Sequence, residues 1–164
     1  MKVAVIMGSD SDYPALKPCI ATLGDFGIEA DVHVMSAHRS PEIAADYAKN
    51  AKKNNVEVII AAAGKAAHLA GVIAGHTTLP VIGIPIKSSF MDGMDSLLST
   101  VQMPEGIPVA TVAVNGAKNA ALLAVQILSL KYPALNDMLE DFKEKMLEKV
   151  VVADSKLREE IING

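Results

Sequence analysis

The sequence KVAVIMGSDSD at residues 2–12 joins an apolar run to an abrupt polar ending, and this pairing indicates the fold. Residues 2–7 are rich in Val and Ile and continuously apolar, so we expect a strand with both faces covered. Gly8 follows at once, and residues 9–12 are of the types that form turns and helix N-termini. The stretch therefore predicts a buried strand that opens into a polar loop.

Four more apolar runs repeat this pattern along the chain. They occupy residues 30–35, 56–62, 80–86 and 108–114, and segments with helical spacing separate them. Strands that alternate with helices predict βαβ units around a parallel sheet. We therefore expect one three-layer α/β domain over residues 1–164, with a flavodoxin-like, doubly wound, five-stranded parallel sheet.

Residues 133–162 are predicted to form a long C-terminal helix outside this sheet. Apolar residues recur there at spacings of three and four, between Glu, Asp and Lys residues. The preceding segment AALLAVQILSL, residues 120–130, is apolar almost all round. Because little sheet surface remains to cover both segments, we expect this helical extension to pack on neighbouring subunits.

Composition and charge argue against several classes of function. The net charge of −4 provides no basic surface for nucleic-acid binding. The chain also has few aromatic side chains for stacking on bases, with three Tyr, three Phe and no Trp. No apolar run approaches the roughly 20 residues of a membrane span, and the N-terminus lacks the length of a signal peptide. The single Cys19 excludes an intramolecular disulfide. We therefore expect a cytoplasmic protein with a small-molecule ligand.

Polar residues follow four of the predicted strands, at the edge where open parallel sheets bind ligands. Glycines permit close backbone approach, serine hydroxyls and helix N–H groups donate to anions, and Arg39 can bind phosphate with two parallel hydrogen bonds. Histidine is the side chain that transfers protons near neutral pH, so His38 is the candidate catalytic residue. The candidate substrate-binding residues are Gly8, Ser9, Asp10, Asp12, Ser36, Ala37, Arg39, Gly64, Lys65, Ala66, His68 and Leu69.

The same residues also have structural interpretations. Residues 9–12 can form only a turn and a helix cap, His38 can be a solvated loop residue, and His68 can be a core or interface histidine. His33 and His76 have no supporting neighbours in sequence, and we interpret both as structural or solvent-facing. The four histidines lack the spacing of a ligand set, so no metal site is expected.

Several motifs together resemble the class I 5-(carboxyamino)imidazole ribonucleotide mutase family of purine biosynthesis, and the resemblance extends over residues 2–150. These motifs are GSDSD (8–12), SAHRSP (36–41), AAHLAG (66–71), DSLLSTVQMPEGIPVATVAV (95–114) and NAALLAVQIL (119–128). The resemblance implies an isomerase, without cofactor or metal, that moves a carboxylate from the exocyclic nitrogen of a phosphoribosyl imidazole to ring carbon 4. It also implies a homo-octamer with sites at subunit interfaces.

By the same resemblance, Ser9, Asp12 and Arg39 bind the substrate and His38 is the catalytic histidine. For this reaction we expect His38 to supply a proton for decarboxylation and later to remove the proton from carbon 4. The released carbon dioxide needs a weakly polar pocket, which residues 62–71, AAGKAAHLAG, could line.

Residues 64–71 depart from the family pattern at two positions. The family commonly has Gly-Gly-Ala-Ala-His-Leu-Pro-Gly where this chain has GKAAHLAG. Lys65 therefore brings a bulky cation to a position that is usually small; it can pair with the substrate carboxylate or point outward. Ala70 replaces a rigid proline.

Two alternatives share parts of this pattern. Class II enzymes of the same pathway carboxylate the aminoimidazole with free carbon dioxide, but they lack the Ala-Ala-His-Leu run, so His68 favours the mutase. The second alternative is a non-enzymatic flavodoxin-like binding module. A signalling receiver would need an Asp after the third strand, where residues 62–64 are Ala-Ala-Gly, and a flavin carrier would need aromatic residues in the strand-end loops.

Overall fold

A computed structural model describes residues 1–164 and contains one sheet of five parallel strands. The strands are β1 (Lys2–Met7), β2 (Glu29–Val34), β3 (Val58–Gly64), β4 (Val81–Ile86) and β5 (Ala110–Thr111). Their spatial order is β2-β1-β3-β4-β5. The chain thus winds outward from β1 in both directions, which confirms the predicted doubly wound, flavodoxin-like sheet.

Six α-helices cover the two faces of the sheet. They are α1 (Tyr13–Asp25), α2 (Pro41–Asn50), α3 (Leu69–Ala74), α4 (Met94–Val101), α5 (Ala117–Ser129) and α6 (Ala134–Asn163). Helices α1, α5 and α6 pack on the face formed by Val3, Val5 and Met7 of β1, whereas α2 and α3 pack on the face of Ala4 and Ile6. Helix α4 lies on the same face as α3, because an added Cβ at Gly83 would meet both Thr100 of α4 and Ala70 of α3. No helix is both long enough and apolar enough to cross a membrane.

The expectation of strands covered on both faces is correct for β1, β3 and β4, in which nearly every residue is buried. It is wrong for the two edge strands: in β2 Val32 is 38% and Val34 56% exposed, and in β5 Ala110 is exposed. His33 of β2 also has partners: its Nε2 lies 2.8 Å from Asp31 Oδ1, and the Tyr47 hydroxyl donates to Asp31 Oδ2 at 2.7 Å. Both partners stabilise the edge of the sheet.

Strand β5 is much shorter than the predicted run at residues 108–114. Only Ala110 and Thr111 form ladder pairs, with Ile82 and Gly83 of β4. Pro85 of β4 has no N–H group to continue this ladder, although its carbonyl still accepts from Asn115 N at 2.9 Å. The chain therefore follows β4 without regular strand geometry.

The two C-terminal helices differ in how they are covered. The sheet, α1 and α6 cover most of α5 within the chain. In α6 only Leu135 and Leu139 are buried, and Phe142 contacts Phe26 with ring centroids 6.2 Å apart. Every residue from 143 onward is exposed. At 1.5 Å per residue, about 30 Å of helix therefore extends beyond the packed part of the chain.

Candidate active site

The loops that follow the first four strands border one cavity of about 610 Å³ at the carboxyl edge of the sheet. It is lined by Gly8, Ser9, Ser11, Asp12, Ser36, Ala37, His38, Arg39, Ala63, Gly64, Lys65, Ala66, His68, Leu69, Ile86, Lys87, Ser88 and Ser89. All the candidate residues from the sequence except Asp10 are in this lining. The candidates from the sequence did not include Ser11, Ala63, Ile86, Lys87, Ser88 and Ser89. Of these, residues 87–89 directly follow the fourth strand, the same kind of position that identified the other candidates.

His38 and His68 both line the cavity and contact each other. The Nε2 atom of His38 lies 2.8 Å from Nδ1 of His68, and the two rings are nearly perpendicular, at 80°. One of these nitrogens donates and the other accepts, so the contact fixes the relative orientation of both rings. Both side chains are exposed to the cavity, which is inconsistent with a core role for His68. The pair leaves His38 Nδ1 and His68 Nε2 available to a ligand.

Two serines hold the loop that carries His38. The backbone N–H groups of His38 and Arg39 donate to Ser36 Oγ at 3.3 and 3.1 Å. Ser36 N in turn donates to Ser40 Oγ at 2.9 Å, and Ser40 Oγ donates to Ser36 O at 3.2 Å. Ser40 directly precedes α2, which begins at Pro41. The Ser40 hydroxyl bonds to the backbone of Ser36 and does not cap the helix. These hydrogen bonds within the chain fix the shape of the loop that carries His38.

Arg39 connects the second loop to the first. Its Nη2 donates to Gly8 O at 2.9 Å, so the guanidinium of a loop after β2 lies at the end of β1. The hydroxyls of Ser9 and Ser11, 2.9 Å apart, lie in the same loop. A guanidinium and two hydroxyls at one strand end form a site suited to an anion such as phosphate.

The two acidic residues of the first loop have different surroundings. Asp10 Oδ1 accepts from Ser9 Oγ at 3.1 Å and from Ser11 N at 3.0 Å. These contacts tie Asp10 into the turn, outside the main cavity, so the structural interpretation fits this residue. Asp12 lines the cavity and is partly buried. Burial above all raises the pKa of the Asp12 carboxyl above its ordinary value, and the Ser9 backbone and Arg39 offset this only in part.

The two lysines of the cavity also differ. Lys87 Nζ pairs with Asp92 Oδ1 at 3.1 Å, whereas Lys65 takes part in no salt bridge or side-chain hydrogen bond of the chain. Ser88 is buried, and its hydroxyl lies 2.8 Å from both oxygens of Asp95, so it holds the fourth loop against α4. No group of three or more His, Cys, Asp and Glu side chains is placed to hold a metal ion.

The sequence matches the family described as AIR carboxylase over residues 2–149. The chain belongs to the AIR carboxylase family. N5-carboxyaminoimidazole ribonucleotide mutase of Pyrococcus abyssi is 57% identical over 145 residues, 88% of this chain and 83% of that protein. The protein of the same name from Aquifex aeolicus is 52% identical over 162 residues, 99% of this chain and 97% of that protein.

A solved structure agrees with this assignment. The crystal structure of Treponema denticola PurE matches with a TM-score of 0.87 at 32% identity, over 95% of this chain and 98% of that chain. Membership of the AIR carboxylase family confirms the resemblance found in the sequence motifs.

The raised pKa of Asp12 leads to a stability prediction for this family member. A carboxyl whose pKa is higher in the folded state loses stabilisation as the pH rises through that pKa, because the buried charged form is disfavoured. We expect Asp12→Asn to have a higher melting temperature than the wild type at pH 7, and the difference to shrink as the pH approaches 4. Thermal unfolding across this pH range measures the effect. A lower melting temperature at pH 7 for the variant would contradict this account.

Proposed function

We propose that the protein is an N5-carboxyaminoimidazole ribonucleotide mutase of purine biosynthesis. It converts 5-carboxyamino-1-(5-phosphoribosyl)imidazole to 5-amino-1-(5-phosphoribosyl)imidazole-4-carboxylate. The observation that carries the proposal is the His38–His68 pair in one cavity with Arg39, in a chain 57% identical to a mutase of this name. The cavity thus combines a proton carrier with an anion site, which are the two functions that the reaction needs.

The phosphoribosyl part of the substrate is assigned to the first loop. The Ser9 hydroxyl and the free N–H groups of Arg39 donate to phosphate oxygens. The Asp12 carboxylate, which would repel phosphate, instead accepts hydrogen bonds from ribose hydroxyls. This placement directs the imidazole toward the histidine pair on the cavity wall.

His38 carries the proton in both halves of the reaction. Protonated His38 gives its proton to the exocyclic nitrogen as the bond from nitrogen to the carboxyl carbon breaks, which yields the free amine and carbon dioxide. Carbon 4 then attacks carbon dioxide, and neutral His38 removes the proton from that carbon. The proton count is unchanged over the cycle, so one imidazole serves both steps. His68 keeps the His38 ring in a fixed orientation throughout.

The carbon dioxide intermediate must stay in the cavity between the two steps. Ala63, Ala66 and Leu69 provide apolar lining on the same wall as the histidines. A neutral, weakly polar molecule is retained better beside such side chains than beside bound water. Residues 62–71, from the end of β3 to the start of α3, are therefore the proposed carbon dioxide pocket.

We also propose that the protein works in the cytoplasm as a homo-oligomer, an octamer by the family resemblance. Helix α4 exposes Met94, Leu98 and Val101 at helical spacing, and Phe90 beside it is 82% exposed. The extension at residues 133–162 exposes a second apolar stripe that includes Met146 and Val150. Contiguous apolar surface of this extent is typical of subunit interfaces. In this assembly the extension packs on neighbouring subunits.

An isotope experiment separates the mutase from a carboxylase that uses free carbon dioxide. The unlabelled N-carboxylated substrate is supplied in buffer with carbon-13 bicarbonate, and the product is analysed by mass spectrometry at early times. We expect the product to retain the unlabelled carboxylate, because the carbon dioxide intermediate does not leave the cavity. Wholesale incorporation of label would overturn the mutase assignment in favour of the carboxylase.

A substitution at His38 tests the proton carrier. We expect His38→Asn to lower kcat by at least about 10²-fold, since positioned proton transfer contributes roughly 10²- to 10⁴-fold to rate. The exposed His76 lies outside the cavity, so His76→Asn is the matched control and should turn over normally. Circular dichroism and sedimentation should be unchanged for both variants. Near-normal turnover by His38→Asn would contradict the role of this residue.

Sedimentation measures the proposed assembly. We expect the wild type to sediment as a species of eight chains of 17.2 kDa each. Leu98→Glu places a charge in the exposed apolar face of α4 and should yield smaller species. Lys17→Glu, at an exposed position on α1, should leave the assembly unchanged. A monomeric wild type would refute the oligomer, and an intact assembly of Leu98→Glu would refute the use of this face.

A further inference from the structure

Lys65 has a backbone conformation that its residue type does not explain. Its φ angle is 57°, in the left-handed region that side chains with a Cβ rarely adopt. The three other non-glycine residues with positive φ are Asn55, Asp92 and Asn115, which belong to the two residue types that tolerate this region best. Lys65 is the exception, and strain of this kind concentrates at functional sites.

The strained conformation belongs to the turn that positions His68. Ala67 N donates to Lys65 O at 2.9 Å, and His68 N donates to Ala66 O at 2.8 Å. This tight turn starts directly after β3 and brings His68 to the 2.8 Å contact with His38. A glycine at position 65 would allow the same turn without strain. The turn therefore explains why position 65 has a positive φ angle, but it does not explain why the residue there is a lysine.

The side chain of Lys65 is not used by the rest of the protein. It lines the cavity and is exposed, and it forms no salt bridge. Lys87, the other lysine of the lining, is already paired with Asp92. The ammonium group of Lys65 is therefore the unpaired lysine charge of the cavity, three residues from His68.

The cations of the cavity match the two charged ends of the proposed substrate. Arg39 lies at the end of β1 with the serine hydroxyls of the first loop, where the phosphate is assigned. Lys65 lies at the end of β3 beside the histidine pair, where the carboxylate is transferred. We propose that Lys65 binds the migrating carboxylate and so determines the preference for carboxylated over decarboxylated imidazole ribonucleotides. This inference rests on the proposed function.

Charge explains why Lys65 would discriminate between these ligands. The N-carboxylated substrate and the 4-carboxylated product each carry a carboxylate that accepts a charge-assisted hydrogen bond from an ammonium group. The aminoimidazole ribonucleotide lacks this group but keeps the phosphate. Removal of the Lys65 charge therefore weakens binding of the carboxylated ligand alone.

Substitutions that separate charge from backbone strain test the proposal. Lys65→Asn removes the charge and keeps a residue that tolerates positive φ, Lys65→Gly removes both charge and strain, and Lys65→Arg keeps the charge. Calorimetric dissociation constants are measured for the 4-carboxylated product and for aminoimidazole ribonucleotide. We expect Lys65→Asn and Lys65→Gly to bind the carboxylated product at least about tenfold more weakly, with aminoimidazole ribonucleotide unaffected. Lys65→Arg should retain most of the preference.

Lys53, exposed after α2 and outside the cavity, supplies the matched control: Lys53→Asn should bind both ligands as the wild type does. Equal weakening for both ligands would assign Lys65 to the phosphate and overturn the proposal. Unchanged affinities in Lys65→Asn would mean that the side chain points away from the ligand, and would overturn it as well. If the wild type binds neither ribonucleotide, the proposed function itself fails, an outcome distinct from the other two.

Discussion

The contact between His38 and His68 depends on one topological constraint, the position of β1 between β2 and β3 in the sheet. The two histidines follow β2 and β3, so their rings meet across the carboxyl end of the strand between them. The first strand ends at Met7, and at Gly8, which follows it, an added Cβ would be in ordinary van der Waals contact with Ala62 O and Ala63 Cβ at 3.8 Å. The sheet order, and not any single loop, makes a two-histidine site possible.

Two residues in the loops around this contact lower the stability of the folded chain. Asp12 holds a carboxyl in a partly buried position that disfavours its charge, and Lys65 occupies a left-handed conformation. These unfavourable features are concentrated in loops supported by buried strands, where the rest of the structure can hold them. Ser36 and Ser40 instead stabilise the site, because their hydroxyls accept hydrogen bonds from backbone N–H groups of the loop that carries His38. Hydrogen bonds within the chain thus fix the shape of this part of the site.

Local patterns in the sequence predict the fold well and the surroundings of each residue less well. Continuous apolar runs identify β1, β3 and β4, and the strand-end rule brings almost every candidate residue into one cavity. An apolar run of this kind does not show that β2 lies at the edge of the sheet and is partly exposed. The effect of Pro85 on β5 is also not visible in the sequence, because it depends on β5 being the neighbour of β4. Of the two partners of His33, Asp31 is only two residues away in the sequence, whereas Tyr47 reaches the pair through the tertiary fold alone.

The part of α6 beyond residue 142, about two thirds of the helix, has no cover within its own chain. A helix of about 20 residues without tertiary contacts is only marginally stable in water. In the proposed homo-oligomer its order is coupled by mass action to association between chains, because whatever binds only the folded form adds to its stability in proportion to the logarithm of concentration. The heat resistance of such an assembly is a property of the solution as much as of the molecule, and dilution lowers it.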